Sequence, residues 1–383
     1  MKYFLHIYIL LFLFGCKAVK ESSSSGSQAT SSTKGWKLVS DNKYLVRNNV
    51  TEMPSLKLNA ILKLQNGSLL IIDSNRVFTS FDEGKSWTSH TVFADTNTFN
   101  IAPGRLIQTK SGAIVFSFSN WKEKQSDELK AIYGPAKAIL PTYAMRSLDG
   151  GETWTNIQKL HDDWTGANMD MILTKKGNVV FTSMKLRSNP MHHVIITYTS
   201  KDEGVTWTES NTLDFGGVGH HAGVMEPTII QLNNGKIWML MRTNWEYFWE
   251  AFSDDEGLTW KDVKVTKIDA SSSPGELKRL QSGRIVLVWN RLYPEDKKIK
   301  YLIRPGNGEF SERSTNWHRN ELSIMFSDDD AKTWSKPKVF AKTTKDEQQL
   351  CYPFVSEVSP GKLCIVTRFG AELKIMLNEK DYL

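Results

Sequence analysis

The sequence predicts an all-β fold, a six-bladed β-propeller. Two internal repeats support this prediction. An eight-residue pattern, Ser-x-Asp-x-Gly-x-Thr-Trp, occurs five times at spacings of 53 to 74 residues, and a strand–turn–strand pattern with a turn glycine occurs six times. Repeats of this period are typical of arrays in which each unit is one small antiparallel sheet, and a closed ring of such sheets leaves few free edges.

The eight-residue motif has a structural explanation. A short Asp side chain can accept hydrogen bonds from backbone amides of a tight turn, Gly permits a positive φ, and Trp can pack between blades. We therefore interpret the motif as a structural element and not as a sugar platform or a calcium loop, because the ligand spacing for calcium is absent. The copies are Ser80–Trp87 (with Ser86 for Thr), Ser147–Trp154, Ser200–Trp207, Ser253–Trp260 and Ser327–Trp334 (with Ala331 for Gly).

The second repeat predicts one hairpin for each blade. Asn66-Gly67 and Asn234-Gly235 are strong hairpin turns. With six hairpins and five motifs, we expect a strand near Lys37–Val46 to complete the last blade and close the ring. The hairpins are Ala60–Ile72, Leu106–Phe118, Met171–Met184, Thr228–Arg242, Leu277–Trp289 and Phe354–Thr367.

The N-terminus predicts a bacterial lipoprotein. Lys2 precedes an apolar stretch, and Leu13-Phe14-Gly15-Cys16 is typical of a lipobox, so we expect residues 1–15 to be a signal peptide and Cys16 to be lipidated. Residues 16–35, which are rich in Ser, would be a flexible tether, and residues 36–383 the propeller. The expected location is the cell envelope, with the lipid anchor in the outer membrane.

The net charge argues against a nucleic-acid partner, and the positions of the cysteines argue against a disulfide. The net charge is +6, and the first 35 residues carry half of it, so the propeller lacks the basic footprint of a nucleic-acid binder. Cys351 and Cys364 lie on the two arms of one hairpin in positions that do not face each other, so we expect no disulfide. We also expect a monomer with no cofactor and no metal, because no ligand spacing indicates one.

Hairpin register predicts that charged residues collect at one rim. Pairing Leu232 with Ile237 puts Glu226 beside Arg242. The same reasoning puts Lys57 opposite Arg76, Tyr352 next to Arg368, and Pro274 opposite Arg291, while Asp170 enters the third hairpin as Glu226 enters the fourth. Several cations with a Glu and a Tyr around a propeller mouth favour a pocket for an anion. The predicted set is Lys57, Arg76, Glu226, Arg242, Arg291, Arg319, Tyr352, Arg368 and the histidines, and Asp170 is a further acid/base candidate.

The five motifs are Asp boxes, and the chain resembles the sialidase (neuraminidase) superfamily over nearly all of residues 36–383. That resemblance implies a six-bladed propeller with three Arg on a sugar carboxylate, a Tyr nucleophile activated by a Glu, and an Asp acid/base. Position by position, Met225-Glu226-Pro227 resembles the segment of the Glu, and Cys351-Tyr352-Pro353 that of the Tyr. Arg242 and Arg319 resemble the second and third Arg.

The chain departs from the family pattern in two places. Lys57 stands where the family has its first Arg, and Lys cannot form the same bidentate fork. The loop that carries the family's acid/base Asp is absent, since Arg76 continues directly into Val77 and the first Asp box. His221 or His220, just before Glu226, is a candidate replacement because the pKa of histidine suits the task.

Three functions follow from these residues. In the first, an exo-glycosidase cleaves a terminal acidic sugar of an oligosaccharide or polysaccharide: Arg242, Arg319 and Lys57 bind the carboxylate and Tyr352 attacks the anomeric carbon. The second is an eliminating enzyme, a polysaccharide lyase or dehydratase acting on uronic acids. Its reaction does not require the acid/base Asp that this chain lacks. The third is a glycan-binding propeller without catalysis.

Overall fold

The computed structural model describes residues 34–95, 97–101, 104–126, 138–219, 221–293, 316–345, 348–369 and 372–383. The chain divides into two units, Met1–Lys34 and Gly35–Leu383, and the second unit is the propeller. The predicted signal peptide, Cys16 and nearly all of the predicted tether lie outside the described residues, as does His220. In the part of the chain that is described, no helix is long and apolar enough to cross a membrane.

Six antiparallel sheets form the six blades, as the sequence predicts. Three strands precede the first blade: β1 (Trp36–Val39), β2 (Tyr44–Arg47) and β3 (Thr51–Glu52). Blade 1 contains β4 (Leu62–Lys63), β5 (Leu69–Asp73), β6 (Arg76–Ser80) and β7 (Thr88–Thr91). Blade 2 contains β8 (Arg105–Gln108), β9 (Ile114–Ser119), β10 (Gln125–Ser126), β11 (Ala138–Ser147) and β12 (Thr155–Asp163), with a 3₁₀ turn at Trp121–Glu123. Blade 3 contains β13 (Met171–Leu173), β14 (Val179–Arg187), β15 (His192–Ser200) and β16 (Thr208–Glu209).

The other three blades follow in chain order. Blade 4 contains β17 (Met225–Gln231), β18 (Ile237–Arg242), β19 (Tyr247–Ser253) and β20 (Lys261–Asp269). Blade 5 contains β21 (Glu276–Arg279), β22 (Ile285–Trp289), β23 (Glu321–Ser327) and β24 (Lys338–Thr343). Blade 6 contains β25 (Cys351–Ser359), β26 (Lys362–Phe369) and β27 (Lys374–Asn378), followed by a 3₁₀ turn at Glu379–Asp381.

Burial falls from the inner to the outer strands of a blade, and the sequence shows why. The second strand of blade 4, β18, is an almost continuous apolar run and is buried along its whole length. The fourth strand, β20, alternates charged and apolar residues and is largely exposed. A strand covered on both faces has an unbroken apolar run, whereas a strand with one solvated face alternates. Arg242, the charged residue that ends β18, is therefore an exception inside the core.

The predicted closure of the ring is wrong in its choice of strand. The segment Lys37–Val46 forms β1 and β2, and β2 pairs with β24, so these strands extend blade 5 to six strands. Blade 6 is completed instead by β3, whose Thr51 and Glu52 pair with β27. The N-terminal segment does close the last blade, but with the two-residue strand that follows the predicted one.

The predicted hairpin register is also off by one residue. Leu232 pairs with Lys236 and not with Ile237, because the loop has three residues: the Gly235 amide bonds the Leu232 carbonyl, and the Leu232 amide bonds the Lys236 carbonyl. Gly235 has a φ of 90°, typical of a type I turn followed by a left-handed residue. The hairpins around Gly67, Gly112, Gly177 and Gly283 repeat both hydrogen bonds. In blade 6, Cys364 pairs with Ser356 and Cys351 with Phe369, so the two cysteines do not face each other.

Each Asp box is a self-contained hydrogen-bonded turn. In blade 2, Asp149 accepts hydrogen bonds from the Thr153 amide (2.9 Å) and the Ser147 hydroxyl (2.7 Å). Gly151 has a φ of 100°, and a Cβ there would lie 2.6 Å from the Leu70 side chain of blade 1, so a larger residue would strain the backbone and displace that side chain. Trp154 joins the apolar cluster that contains Leu70. The boxes therefore fasten each blade to its neighbour, away from the rim where the charged residues collect.

Loss of a box carboxylate is expected to change the acid stability of the protein. Although partial burial works in the opposite direction, hydrogen bonds from Thr153 and Ser147 lower the pKa of Asp149 to about 2. A pKa below the unfolded value stabilises the fold above about pH 4, and that contribution is lost as the pH falls toward 2. Asp149→Asn should therefore lower the free energy of unfolding by about 1 kcal/mol at neutral pH, a small amount because water screens the exposed Asp149 carboxylate. The loss should be smaller near pH 2. Denaturant titrations across this range measure it; a difference independent of pH would contradict the assignment.

A buried ion pair crosses the centre of the ring. Arg105 on β8 of blade 2 and Glu276 on β21 of blade 5 form two hydrogen bonds, of 3.0 and 2.5 Å, and both residues are buried. The Arg105 guanidinium also lies 4.5 Å from the centre of the Phe354 ring of blade 6. Burial raises the pKa of Glu276 to about 7, although Arg105 opposes the shift. This pair joins opposite blades, and Arg105 contacts Phe354, a residue that lines the cavity described next.

Candidate active site

A cavity of about 470 Å³ lies at the rim where the inner strands begin. Glu226 and Tyr352 are at the starts of the innermost strands β17 and β25, whereas Arg242 ends the second strand β18, so antiparallel pairing brings all three to one rim. The lining from blades 4 to 6 contains most of the charged residues: His221, Met225, Glu226, Arg242, Trp317, Arg319, Tyr352, Phe354 and Arg368. The lining from blades 2 and 3 is mainly apolar: Trp121, Lys124, Leu140, Trp164, Gly166, Ala167, Asn168, Met169, Met184 and His193.

Tyr352, Glu226 and Arg242 form one hydrogen-bonded cluster. The Tyr352 hydroxyl donates to Glu226 Oε1 at 2.7 Å. Arg242 Nη1 donates to Glu226 Oε2 at 2.6 Å and to the Tyr352 oxygen at 3.1 Å. The Glu226 carboxylate already accepts the hydrogen bond of the phenol, and Arg242 contacts both Glu226 Oε2 and the Tyr352 oxygen. The cluster can therefore move a proton from Tyr352 to Glu226 when the phenolic oxygen reacts.

Glu226 and Tyr352 both have a left-handed backbone. Their φ values are 44° and 56°, which is uncommon for residues other than glycine. Both residues line the cavity, and in blade 4 the left-handed residue coincides with a bulge between Met225 and Thr228. Strain of this kind costs about 1–3 kcal/mol and is typical of functional sites.

Arg242 and Arg319 share a support. Arg242 Nε donates to the Ser272 hydroxyl at 3.1 Å, and Arg319 Nη2 donates to the Ser272 carbonyl at 2.5 Å. Ser272 in turn donates to Asn244 Oδ1, whose amide group donates to the His221 carbonyl. Both guanidinium groups are therefore held in fixed orientations, and the backbone of His221 belongs to the same network.

The local electrostatics keep Tyr352 protonated at rest. Burial, followed by the neighbouring Glu226 carboxylate, raises the pKa of Tyr352 well above its usual value, and the two arginines only partly oppose this. Burial opposes the charge on Arg242, but Glu226 and Tyr352 more than offset it, so the pKa of Arg242 is raised. Burial also raises the pKa of Cys351 to about 11. The Tyr352 hydroxyl is therefore protonated at neutral pH, with Glu226 as the acceptor of its hydrogen bond.

The histidines that the sequence places at this rim divide into those that line the cavity and those that do not. His221 and His193 line the cavity, and the His221 ring lies 5.4 Å from the Trp317 ring. His192, by contrast, is held by the Pro190 carbonyl and by Asp214 and does not line it. Of the two predicted acid/base candidates, His221 is placed at the site and His220 lies outside the described residues.

Two predicted cations lie away from the cavity. The ladder between β4 and β5 contains only two residue pairs, and it begins after Lys57 in the chain. Lys57 therefore lies outside the sheet and does not pair with Arg76. Both side chains lie against Phe78 instead, with Lys57 Nζ 4.8 Å from the ring centre. Arg76 also bonds Ser89. The predicted opposition of Lys57 and Arg76 is therefore wrong, and neither residue is among the described lining.

Arg291 and Asp170 also have other partners. Arg291 donates twice to Asp269 at 3.2 Å, at the outer strand of blade 4. Asp170 is buried, and its carboxylate accepts hydrogen bonds from the Thr228 hydroxyl and the Ile229 amide, at 2.7 and 2.8 Å. Asp170 therefore joins blade 3 to blade 4, and neither residue is in the described lining of the cavity.

Three lining or supporting residues escaped the sequence analysis. Asn168 lines the cavity, is 3% exposed, and neither its side-chain oxygen nor its nitrogen has a hydrogen-bond partner among the described residues. Lys124 lies in a connection between strands, and Ser272 in a run of serines. None of them is in a repeated motif, so the sequence carries no signal for them. Among the described residues, no group of three His, Cys, Asp or Glu could hold a metal ion.

The fold and the site define a six-bladed β-propeller with a cationic cavity at one rim. Residues 76–365 match the model of the BNR repeat-like domain family, so the chain belongs to that family. No curated protein matches the sequence.

Solved structures share the fold at low sequence identity. A protein of unknown function from Dyadobacter fermentans is 16% identical with a TM-score of 0.58, over 90% of this chain and 99% of its own. A mutant of the NanB sialidase from Streptococcus pneumoniae is 11% identical with a TM-score of 0.56, over 88% and 72%. An α-L-arabinanase from Penicillium chrysogenum, complexed with arabinobiose, is 14% identical with a TM-score of 0.53, over 89% and 99%. These likenesses show that the chain has a sialidase-like propeller fold.

Proposed function

We propose that this protein is a carbohydrate-active enzyme that removes a terminal, carboxylate-bearing sugar from a glycan by hydrolysis. The observation that carries the proposal is the contact of the Tyr352 hydroxyl with Glu226 Oε1, bridged by Arg242, inside a cavity with an excess of cations. That several structural neighbours are glycoside hydrolases gives additional support.

In the proposed reaction Tyr352 is the nucleophile. Its oxygen bonds to the anomeric carbon while its proton passes to Glu226, and His221 protonates the departing glycosidic oxygen. Water then attacks the anomeric carbon, and the bond from that carbon to the Tyr352 oxygen breaks. His221 accepts the proton of that water, and Glu226 returns its proton to Tyr352. A neutral tyrosine suits an anionic sugar, since a carboxylate nucleophile would be repelled by the carboxylate of the substrate.

Arginine side chains would hold the carboxylate of the sugar. Arg242 Nη2 is buried and has no hydrogen-bond partner among the described residues, so it can donate to a ligand. Arg319 is stacked on the Trp317 and Tyr352 rings at 4.9 and 5.6 Å, close to the proposed nucleophile. Arg368, near the end of β26, is a third arginine in the lining of the cavity, whereas Lys57 is not in the described lining. Planar guanidinium groups bind carboxylates in a bidentate manner.

Elimination from a uronic acid is the alternative that one observation favours. Glu226 is the sole carboxylate in the described lining of the cavity, and β6 leads from Arg76 directly into the first Asp box, without an acid-bearing loop. In this reaction the arginines would neutralise the carboxylate of the sugar. A histidine, or Tyr352 after its own proton has passed to Glu226, would remove the proton from the carbon next to that carboxylate, and the glycosidic oxygen would leave as the double bond forms.

Product analysis distinguishes the two reactions. The purified protein is incubated with sialosides and with uronate oligosaccharides, and the products are analysed by mass spectrometry and ultraviolet absorbance. We expect a terminal acidic sugar to be released with the gain of one water. An unsaturated, absorbing product would establish elimination instead, and unchanged glycan with measurable binding would establish a binding protein.

We also propose that the enzyme works at the bacterial cell envelope, held by lipid on Cys16 and the Ser-rich tether. The support is the lipobox sequence alone. Replacement of Cys16 with Ser should move the protein from the membrane fraction to the soluble fraction of cells; unchanged membrane association would contradict a lipid anchor at this residue.

A further inference from the structure

We propose that the cavity has a second subsite, formed by Lys124 with Trp121 and Trp164, for the acidic sugar that follows the terminal one. The inference rests on the proposed function and deepens it. It defines the substrate class as a chain with at least two adjacent carboxylate-bearing sugars, and it distinguishes such a chain from an acidic sugar attached to a neutral glycan.

Two tryptophans position the Lys124 ammonium group. Lys124 follows the 3₁₀ turn Trp121–Glu123, and its Nζ lies 4.8 Å from the ring centre of Trp121 and 5.2 Å from that of Trp164. All three residues line the same cavity as Tyr352. Cation–π contacts at these distances are attractive, and they hold the charge of a flexible side chain in one place.

The turn that carries Trp121 and Lys124 is held by a dense set of hydrogen bonds. Asn120 Oδ1 accepts hydrogen bonds from the Lys122 and Asn100 amides, and Asn120 Nδ2 donates to the Thr98 carbonyl. The Trp121 amide donates to the Asn100 carbonyl at 2.8 Å. Although Trp121 is 47% exposed, its backbone is therefore fixed, and a fixed subsite loses little conformational freedom when a ligand binds.

The charge on Lys124 is not neutralised by its neighbour Glu123. The Glu123 carboxylate accepts hydrogen bonds from Tyr143, Asn120 and Lys159. Lys124 Nζ makes no ion pair with a described residue, and its contacts there are the two indole rings. An ammonium group partly removed from water and lacking an anion is suited to a carboxylate ligand. The exposed ring of Trp121 can pack against the apolar face of the same sugar.

The position of Lys124 indicates a second sugar and not the first. Lys124 belongs to blade 2, and the arginines that would bind the terminal carboxylate belong to blades 4 to 6, on the other side of the lining. A cavity of about 470 Å³ is in the size range that encloses drug-sized ligands, larger than one sugar ring. Two carboxylates on adjacent sugars would satisfy both groups of cations.

The test compares monomers with dimers. Binding of N-acetylneuraminic acid and its dimer, and of galacturonic acid and its dimer, is measured by calorimetry in the Tyr352→Phe background, because the active protein would hydrolyse the dimers. We expect one of the dimers to bind about tenfold tighter than its monomer, the size expected of one charge-assisted hydrogen bond. Lys124→Met should remove this gain, while Lys124→Arg should keep it. Lys122→Met is the matched control, because it removes the same charge from an exposed neighbour outside the described lining, and it should keep the gain.

Failure of this inference is distinguishable from failure of the proposed function. If the monomers bind and Arg319→Met abolishes that binding, but neither dimer gains affinity or Lys124→Met leaves the gain intact, the second subsite is refuted and the terminal site stands. If none of the four probes binds, the proposed function is refuted and this inference with it.

Discussion

Tyr352→Phe is expected to lower the turnover of the enzyme by about 10³-fold or more without loss of the fold. The variant lacks the oxygen that would attack the anomeric carbon, and removal of a nucleophile costs about this much or more. The cavity keeps its shape, because Arg242 and Glu226 remain paired at 2.6 Å. The measurement is kcat with the substrate identified by product analysis, together with circular dichroism and a melting temperature.

The control for this variant is Tyr247→Phe. Tyr247 is 37% exposed at the start of β19 and is outside the described lining of the cavity, so it should keep full activity. A Tyr352→Phe enzyme with wild-type turnover would exclude Tyr352 as the nucleophile of the hydrolysis and as the base of the elimination. Retained activity with altered KM alone would assign Tyr352 to substrate binding.

Arg105→Met is expected to lower the free energy of unfolding by about 3–5 kcal/mol, the cost of leaving a buried charge without its partner. Glu276 would then lie unpaired at the centre of the ring, since Arg105 provides two of its hydrogen bonds. The double variant Arg105→Met with Glu276→Gln should recover part of the loss, because it removes the stranded charge. Denaturant unfolding of the two variants and the wild type measures the interaction.

An exposed ion pair provides the comparison. Lys362 and Glu83 are 2.8 Å apart with about a third or more of each side chain exposed, and Lys362→Met should cost less than about 1 kcal/mol. Equal losses for Lys362→Met and Arg105→Met would show that the crossing pair contributes no more than a surface pair. Because Arg105 lies over the ring of Phe354, which lines the cavity, Arg105→Met should also weaken substrate binding.

The parts of the fold that repeat in the sequence are the parts that could be predicted. Each Asp box satisfies its own hydrogen bonds within eight residues, as Asp149 does with Thr153 and Ser147, so local chemistry specifies it. The loop length could not be read in the same way. Asn-Gly is compatible with loops of two, three or four residues, and the three-residue loop at Gly235 moves the register by one.

The site could be predicted in part, for a related reason. Arg242 and Glu226 lie on one hairpin, so a register error of one residue still left them adjacent. Lys57 lies in a segment that leaves the sheet, where strand pairing no longer determines position. Lys124 and Asn168 belong to connections whose course depends on what packs against them, and no motif marks them.

By itself the sequence determined the class of fold, the number of blades and the rim at which the charged residues gather. These properties depend on local hydrogen bonding and on alternation of apolar residues, both of which are encoded within one repeat. The tertiary structure alone decided which strands close the ring, which cations reach the cavity and which are taken up by partners such as Asp269. Those outcomes depend on contacts between residues far apart in the chain. The sequence of one repeat does not specify which residues of another blade its side chains will contact.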